Sequence, residues 1–298
     1  MAETLIPGLR RLFPEPDRGP WQAPALYLIG DDRLTLIDAG YDNPGGIEKI
    51  IAAVGTARLE RVLLTHVHID HAGGAWALRE RTGAPVWAHR DEAPAIERRF
   101  PGRRIDRWTE PGETIIAGSF ALEAILTPGH ATGHLCFFDR GRGVLFSGDL
   151  VTGAGSTLIV PPEGNLAAYM DSLRRVRELP VTLLLPGHGP ERRDARLRID
   201  ELIEHRRLRE LCLAGCLLRG GPMTLSELVR AMYYGLIHPH LEGVAAGTAS
   251  AHLEKLIAEG RVESSEEGPL TAVFGLTERG RAEAEAIFSP ARTDSRGP

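Results

Sequence analysis

The chain has 298 residues, 43% of them hydrophobic, which is enough to bury a large core and more than one average domain requires. A formal net charge of −5 with 25% charged residues excludes the strongly basic balance of a general nucleic-acid binder, though not a local basic groove. Three cysteines (Cys136, Cys212, Cys216) form no C-x-x-C pair, the start has no leader pattern, and no apolar run approaches the ~18 residues of a membrane span, so a cytoplasmic chain with no membrane partner is the expectation.

Short runs rich in Val, Leu and Ile alternate with helical patterns through the first two thirds, which predicts an α/β fold. In chain order the strands fall at 25–29, 34–38, 61–64, 85–88, 120–126, 134–138, 144–147 and 182–185. Helices at 44–54, 73–81 and 166–179 follow Asn, Gly or Pro start signals and carry apolar residues three or four apart. A long charged helix from 191 to about 218 then has one apolar face, and after it come helices at 225–233 and 244–259 and strands at 261–264 and 272–276 about the turn E-E-G-P. Helix, helix, hairpin is a winged-helix pattern, and the polar residues 289–298 are expected to fray. The expected division is 1–190 for a catalytic domain, 191–219 for a linking helix and 220–298 for the winged-helix domain.

Positions 65–71 read T-H-V-H-I-D-H, directly after a buried strand and before A-G-G-A-W. Imidazole is the commonest protein ligand for zinc, and an i, i+2 spacing on extended chain points His66 and His68 to one side while Asp70 and His71 face elsewhere. Gly73 and Gly74 permit a tight turn, which puts the loop at the carboxyl end of a strand, where open α/β sheets place their sites. Three further strands end in the same way: T-P-G-H offers His130, S-G-D offers Asp149 and L-P-G-H-G offers His188. A catalytic zinc takes three protein groups plus water, so seven candidates suit two ions better than one. His134, four residues after His130, is a candidate neighbour of the site. Asn165 and Tyr169 are candidate pocket residues, although a helix cap and a core aromatic explain them more simply. His89, His205, His238, His240 and His252 stand outside any ligand-like arrangement.

This ordered motif set resembles that of the metallo-β-lactamase fold hydrolases, over roughly residues 26–189. The resemblance implies an αββα sandwich in which His66, His68 and His130 bind one metal, Asp70, His71 and His188 bind a second, and Asp149 bridges them. It also implies two Zn²⁺ per chain, with Mn²⁺ or Fe as alternatives, and Asp70 and Asp149 as the catalytic carboxylates. Asp149 stands where the dizinc antibiotic-degrading enzymes typically carry cysteine, so the resemblance runs instead to the glyoxalase II, lactonase, thioesterase and nuclease branches. The stretch S-G-D-L-V-T-G-A-G-S-T-L-I-V-P-P-E-G-N-L-A-A-Y-M-D-S-L, the long helix and the winged-helix tail resemble the β-lactamase-like protein 2 subgroup, which includes a single-strand RNA endonuclease and fungal polyketide thioesterases.

Three activities follow as expectations: hydrolysis of a small-molecule or acyl substrate (thioester, ester or lactone), cleavage of single-stranded RNA, and mononuclear iron persulfide dioxygenation. Both His71 and His188 are retained, which argues for the second metal and against the dioxygenase. Lysine is confined to Lys49 and Lys255, and the expected wing carries Glu263, Glu266 and Glu267, which argues against sequence-specific DNA binding and leaves the tail to shape a pocket or a homodimer contact. Arg90, Arg98, Arg99, Arg103, Arg104 and Arg107 are the residues that would line an RNA groove, a solvated charged face being the simpler explanation.

Overall fold

The computed structural model describes residues 2–15, 23–234, 238–265 and 272–288. The chain splits into two units at Leu202, with the short segment Leu158–Pro162 grouped with the second.

The first unit holds two sheets. One runs in sequence order through β1 (Glu3–Ile6), β2 (Leu9–Leu12), β3 (Leu26–Ile29), β4 (Arg33–Ile37), β5 (Arg58–Leu63), β6 (Val86–Ala88) and β7 (Arg107–Trp108). It is antiparallel from β1 to β4 and parallel from β4 to β7. The parallel crossovers carry α1 (Pro44–Val54), the single turn α2 (Ile69–Ala72), α3 (Ala75–Thr82) and α4 (Ala93–Arg99). The other sheet is ordered β12-β11-β10-β9-β8, from β8 (Thr114–Ala117), β9 (Phe120–Leu126), β10 (Leu135–Asp139), β11 (Val144–Gly148) and β12 (Leu183–Pro186). β11 and β12 are parallel, and α5 (Leu166–Arg177) makes the crossover between them.

Strand periodicity explains the layering. On β3, Leu26 and Leu28 join the cluster that packs Ile47, Ile50, Trp76 and Ile96 from the helices, while Tyr27 and Ile29 face the other way. There they meet Phe120, Leu122, Phe137, Phe146 and Leu185 of the second sheet, so both faces of β3 are apolar, as a strand covered on both sides requires. Each such fully buried Leu or Phe contributes roughly 1.5–3 kcal/mol. The fold is the αββα sandwich.

Several elements differ from the sequence reading. β1 and β2 form an unforeseen hairpin, for which Gly8 at φ 75° supplies the turn. β7, β8 and α4 also went unread. The long helix α6 (Ala195–Gly220) starts four residues later than expected, because Arg192 pairs its backbone with Leu184 and Glu191 binds the Arg11 guanidinium, which keeps that stretch extended.

The second unit follows from the rest of α6 with β13 (Met223–Thr224), α7 (Leu225–Met232), α8 (Glu242–Ala258), β14 (Val262–Ser264), β15 (Val273–Leu276) and a further helix, α9 (Glu278–Phe288), that the sequence reading did not assign. Its sheet is ordered β13-β15-β14, and α7, α8 and α6 close a core of Leu213, Leu217, Leu228, Met232, Leu253 and Leu256. Thr224 and Glu227 form a reciprocal capping box at the start of α7. The pattern is a winged helix. The expected turn at 266–269 and the tail at 289–298 lie outside the described residues. No helix among the described residues is long and apolar enough to cross a membrane.

Candidate metal centre

Four strands of the first unit end at one place. β5 runs into Thr65 and His66, β9 leads to His130, β11 ends at Gly148 before Asp149, and β12 leads to His188. The packing there depends on missing side chains: a Cβ on Gly148 (φ 47°) would lie 2.7 Å from His134 Nε2, and one on Gly187 would lie 2.6 Å from His71 Cε1.

All seven side chains expected at the site converge. His66 Nε2 lies 3.0 Å from His68 Nδ1, and His130 completes that trio. His71 Nε2 and His188 Nε2 face one another at 3.2 Å, with Asp70 Oδ2 3.1 Å from His188. Asp149 stands between the two sets, Oδ2 toward His130 Nε2 at 3.5 Å and Oδ1 toward His71 at 3.3 Å and His188 at 3.6 Å. The buried Asp149 Oδ1 accepts no hydrogen bond from the described residues. Imidazole lone pairs and carboxylate oxygens aimed at common points, with that oxygen left over, form a donor set that fits divalent cations.

The electrostatics agree. Burial pushes the Asp149 and Asp70 carboxyls up, but facing imidazoles overcome it, holding Asp149 well below the usual range and Asp70 at about 2. Burial pulls His71 and His188 down, and the surrounding carboxylates, Asp149 foremost, raise both above the ordinary imidazole value. Buried among other imidazoles, His66 is held well below it.

Further residues orient these side chains, and most escaped the sequence reading. Asp38, at the end of β4 in the left-handed region (φ 58°), accepts from His71 Nδ1 at 2.8 Å and from the Thr65 hydroxyl at 2.9 Å. The Thr65 hydroxyl in turn lies 3.0 Å from His66 Nδ1, so one carboxylate fixes two imidazoles with Nε2 facing inward. Glu163 Oε2 stands 3.6 Å from His68 Nε2. Glu92 is buried, accepts the backbone N–H groups of Val67 and Gly133, and so ties the H-x-H loop to the chain just after His130; burial raises its carboxyl. Asp38 did leave a signal, since L-I-D-A-G, like S-G-D, sets a carboxylate and a glycine close together at a strand end. Glu92 and Glu163 left none.

His134 reaches the site from behind: its Nε2 accepts the Asp149 backbone N–H at 3.1 Å and its Nδ1 donates to Thr127 Oγ1 at 2.8 Å. Burial first, then neighbouring imidazoles, hold it well below the ordinary value, hence neutral as the acceptor role requires. Asn165 caps α5 by accepting from Ala168 N, and the wholly buried Tyr169 donates its hydroxyl to the Leu150 carbonyl. His89 and His238 cap short helical turns, and His252 is buried in the second unit.

Fold and site together define a metallo-hydrolase. Residues 18–188 match the family model for the metallo-beta-lactamase superfamily, and residues 224–269 match that for the beta-lactamase associated winged helix domain. The chain is 31% identical to lactamase-like protein nscB of Trichophyton rubrum over 87% of its own length and 82% of the relative's. It is 28% identical to the beta-lactamase-like protein 2 homolog of Caenorhabditis elegans, covering 83% of each. A beta-lactamase domain protein from Burkholderia ambifaria superposes with a TM-score of 0.80 over 93% of each chain at 26% identity. The chain belongs to the metallo-beta-lactamase superfamily.

Proposed function

We propose that this chain is a dinuclear hydrolase of a carboxylic derivative, a thioester, ester or lactone, with Zn²⁺ as its metal. The observation that carries the reading is Asp149, whose two oxygens face two separate sets of three ligand residues. His66, His68 and His130 would hold one cation, Asp70, His71 and His188 the other, and Asp149 both. When bound, a pair of divalent cations supplies an acidified water, with a pKa near ~7, and polarises the scissile carbonyl oxygen. The chain's own residues do the rest. Asp38 and Thr65 keep the Nε2 lone pairs of His71 and His66 pointing inward, His134 fixes the backbone of Asp149, and Asp70, held ionised by the facing imidazoles, would orient the attacking water as well as hold the second cation.

Two features favour an acyl substrate over single-stranded RNA. Arg90, Arg103 and Arg107 are each neutralised by their own glutamate, which breaks up a continuous basic track and leaves only the Arg98 and Arg99 pair on Glu163, and Ile69, between His68 and Asp70, is 59% exposed and offers an apolar contact. In the second unit Lys255 is engaged by Glu210 and Glu259, which speaks against DNA binding. The free Cys136, Cys212 and Cys216 suit a reducing cytoplasm. The test is a panel of thioesters, lactones, bis-p-nitrophenyl phosphate and single-stranded RNA, with His66→Ala as control. Turnover of a carboxylic derivative that His66→Ala abolishes is expected; turnover of RNA alone would overturn the substrate class.

A further inference from the structure

Among the surface arginines of the first unit, two pairs share one carboxylate, Arg33 and Arg61 on Glu60 and Arg98 and Arg99 on Glu163, and Glu163 is the one that also faces a histidine of the metal centre. Arg90 pairs with Glu110, Arg103 with Glu80 and Arg107 with Glu113, each a neutral couple. Arg98 and Arg99, at the end of α4, instead share the single carboxylate of Glu163: Arg98 on Oε1 and Arg99 on Oε2 at 2.7 Å. One positive charge is left over. The same Oε2 stands 3.6 Å from His68 Nε2, so the Arg99 guanidinium lies within the combined length of those two contacts from the outer nitrogen of a metal-centre histidine, whose Nδ1 faces His66. The side chains are reachable, Arg98 54% and Arg99 30% exposed, with Glu163 beneath them at 20%. A guanidinium has five N–H donors in a planar fork; Arg98 gives Nη2 to Glu163 and Nη1 to the Pro94 carbonyl, Arg99 gives Nη2 to Glu163, and the remaining donors match a carboxylate or phosphate.

We propose that Arg98 and Arg99, tethered by Glu163 at the rim of the centre, bind an anionic group that the substrate carries away from the bond being cleaved. The substrate class narrows accordingly to acyl compounds with a second, negatively charged end. Glu163 thereby has two tasks: it holds His68 in orientation and keeps two flexible cations beside it, which lowers the ordering cost of binding. The inference rests on the hydrolase reading for the identity of the scissile bond, but the anion site itself does not depend on turnover.

Equilibrium binding to the metal-loaded protein separates the two. Glutarate and valerate have five carbons each and share one carboxylate for the metal centre; only glutarate has a second. Calorimetric titration should give glutarate at least about tenfold tighter binding than valerate in the wild type, and equal affinities in Arg98→Ala/Arg99→Ala. Valerate binding in that variant reports that the centre is intact, and Arg98→Lys/Arg99→Lys should retain part of the preference by keeping charge without the fork. Equal binding of the two acids by the wild type, or a preference that survives the double alanine change, overturns the proposal. If the preference behaves as expected while no thioester, ester or lactone is turned over, the anion site stands and the hydrolase reading falls.

Discussion

Asp38 Oδ2 accepts a hydrogen bond from His71 Nδ1 at 2.8 Å, and through the Thr65 hydroxyl the same carboxylate sets the orientation of His66. One residue that touches no cation in the proposed arrangement therefore fixes one imidazole in each ligand set. Asp38→Asn keeps the shape but replaces an acceptor oxygen with a donor, so His71 loses its fixed tautomer. Metal affinity, measured by competition with a chromophoric chelator, should fall about 10- to 100-fold with the far-ultraviolet circular dichroism unchanged. Unaltered affinity would show that Asp38 only closes β4.

His134 offers a second check on positioning. His134→Phe fills the space and leaves the Asp149 backbone N–H buried without its acceptor, at a cost of about 1–3 kcal/mol. A lower thermal midpoint together with weaker metal retention is expected. A variant as stable and as metal-replete as the wild type would leave His134 as packing.

The pH dependence divides by sign. His71 and His188, raised by their carboxylate neighbours, stabilise the metal-free fold fully below their unfolded value of 6.5, and that contribution disappears as pH rises through their folded values. Asp70, lowered from 3.8 to about 2, contributes above its unfolded value and loses that contribution as pH falls through about 2. Cations must displace the histidine protons. Binding should therefore release protons and tighten with rising pH, which calorimetry in buffers of different ionisation enthalpy would reveal. Proton uptake on binding would contradict it.

Cys136 is wholly buried, and burial pushes its thiol up to about 12. At pH 8 it should resist alkylation in the native protein and react only after denaturation, as read by mass spectrometry of the modified peptide. Rapid native labelling would show that β10 opens.

The ligands were legible because each group of them follows a strand whose apolar run is plain in the sequence, and a glycine within a few residues marks the close turn. Thr35-Leu-Ile-Asp38 has the same form, but an aspartate at a strand end reads equally as a turn residue. Glu92 and Glu163 lay beyond reach for another reason. They act on Val67, Gly133 and His68 across 25, 41 and 95 positions, contacts that the sandwich creates and local pattern does not encode. β1, β2 and β7 extend the sheet of β3 to β6 at its two edges, and strands of four residues or, as at Arg107–Trp108, two have almost no period to read.

The most direct measurement is the metal content of purified wild type and Asp149→Asn, by elemental analysis and anomalous diffraction, alongside hydrolysis of the best ester or thioester. About two divalent cations per wild-type chain, flanking Asp149, are expected, with no more than one in the variant and activity nearly abolished. An Asp149→Asn protein that keeps both cations and full activity, or a wild type that takes up no metal among these seven side chains, would contradict the account.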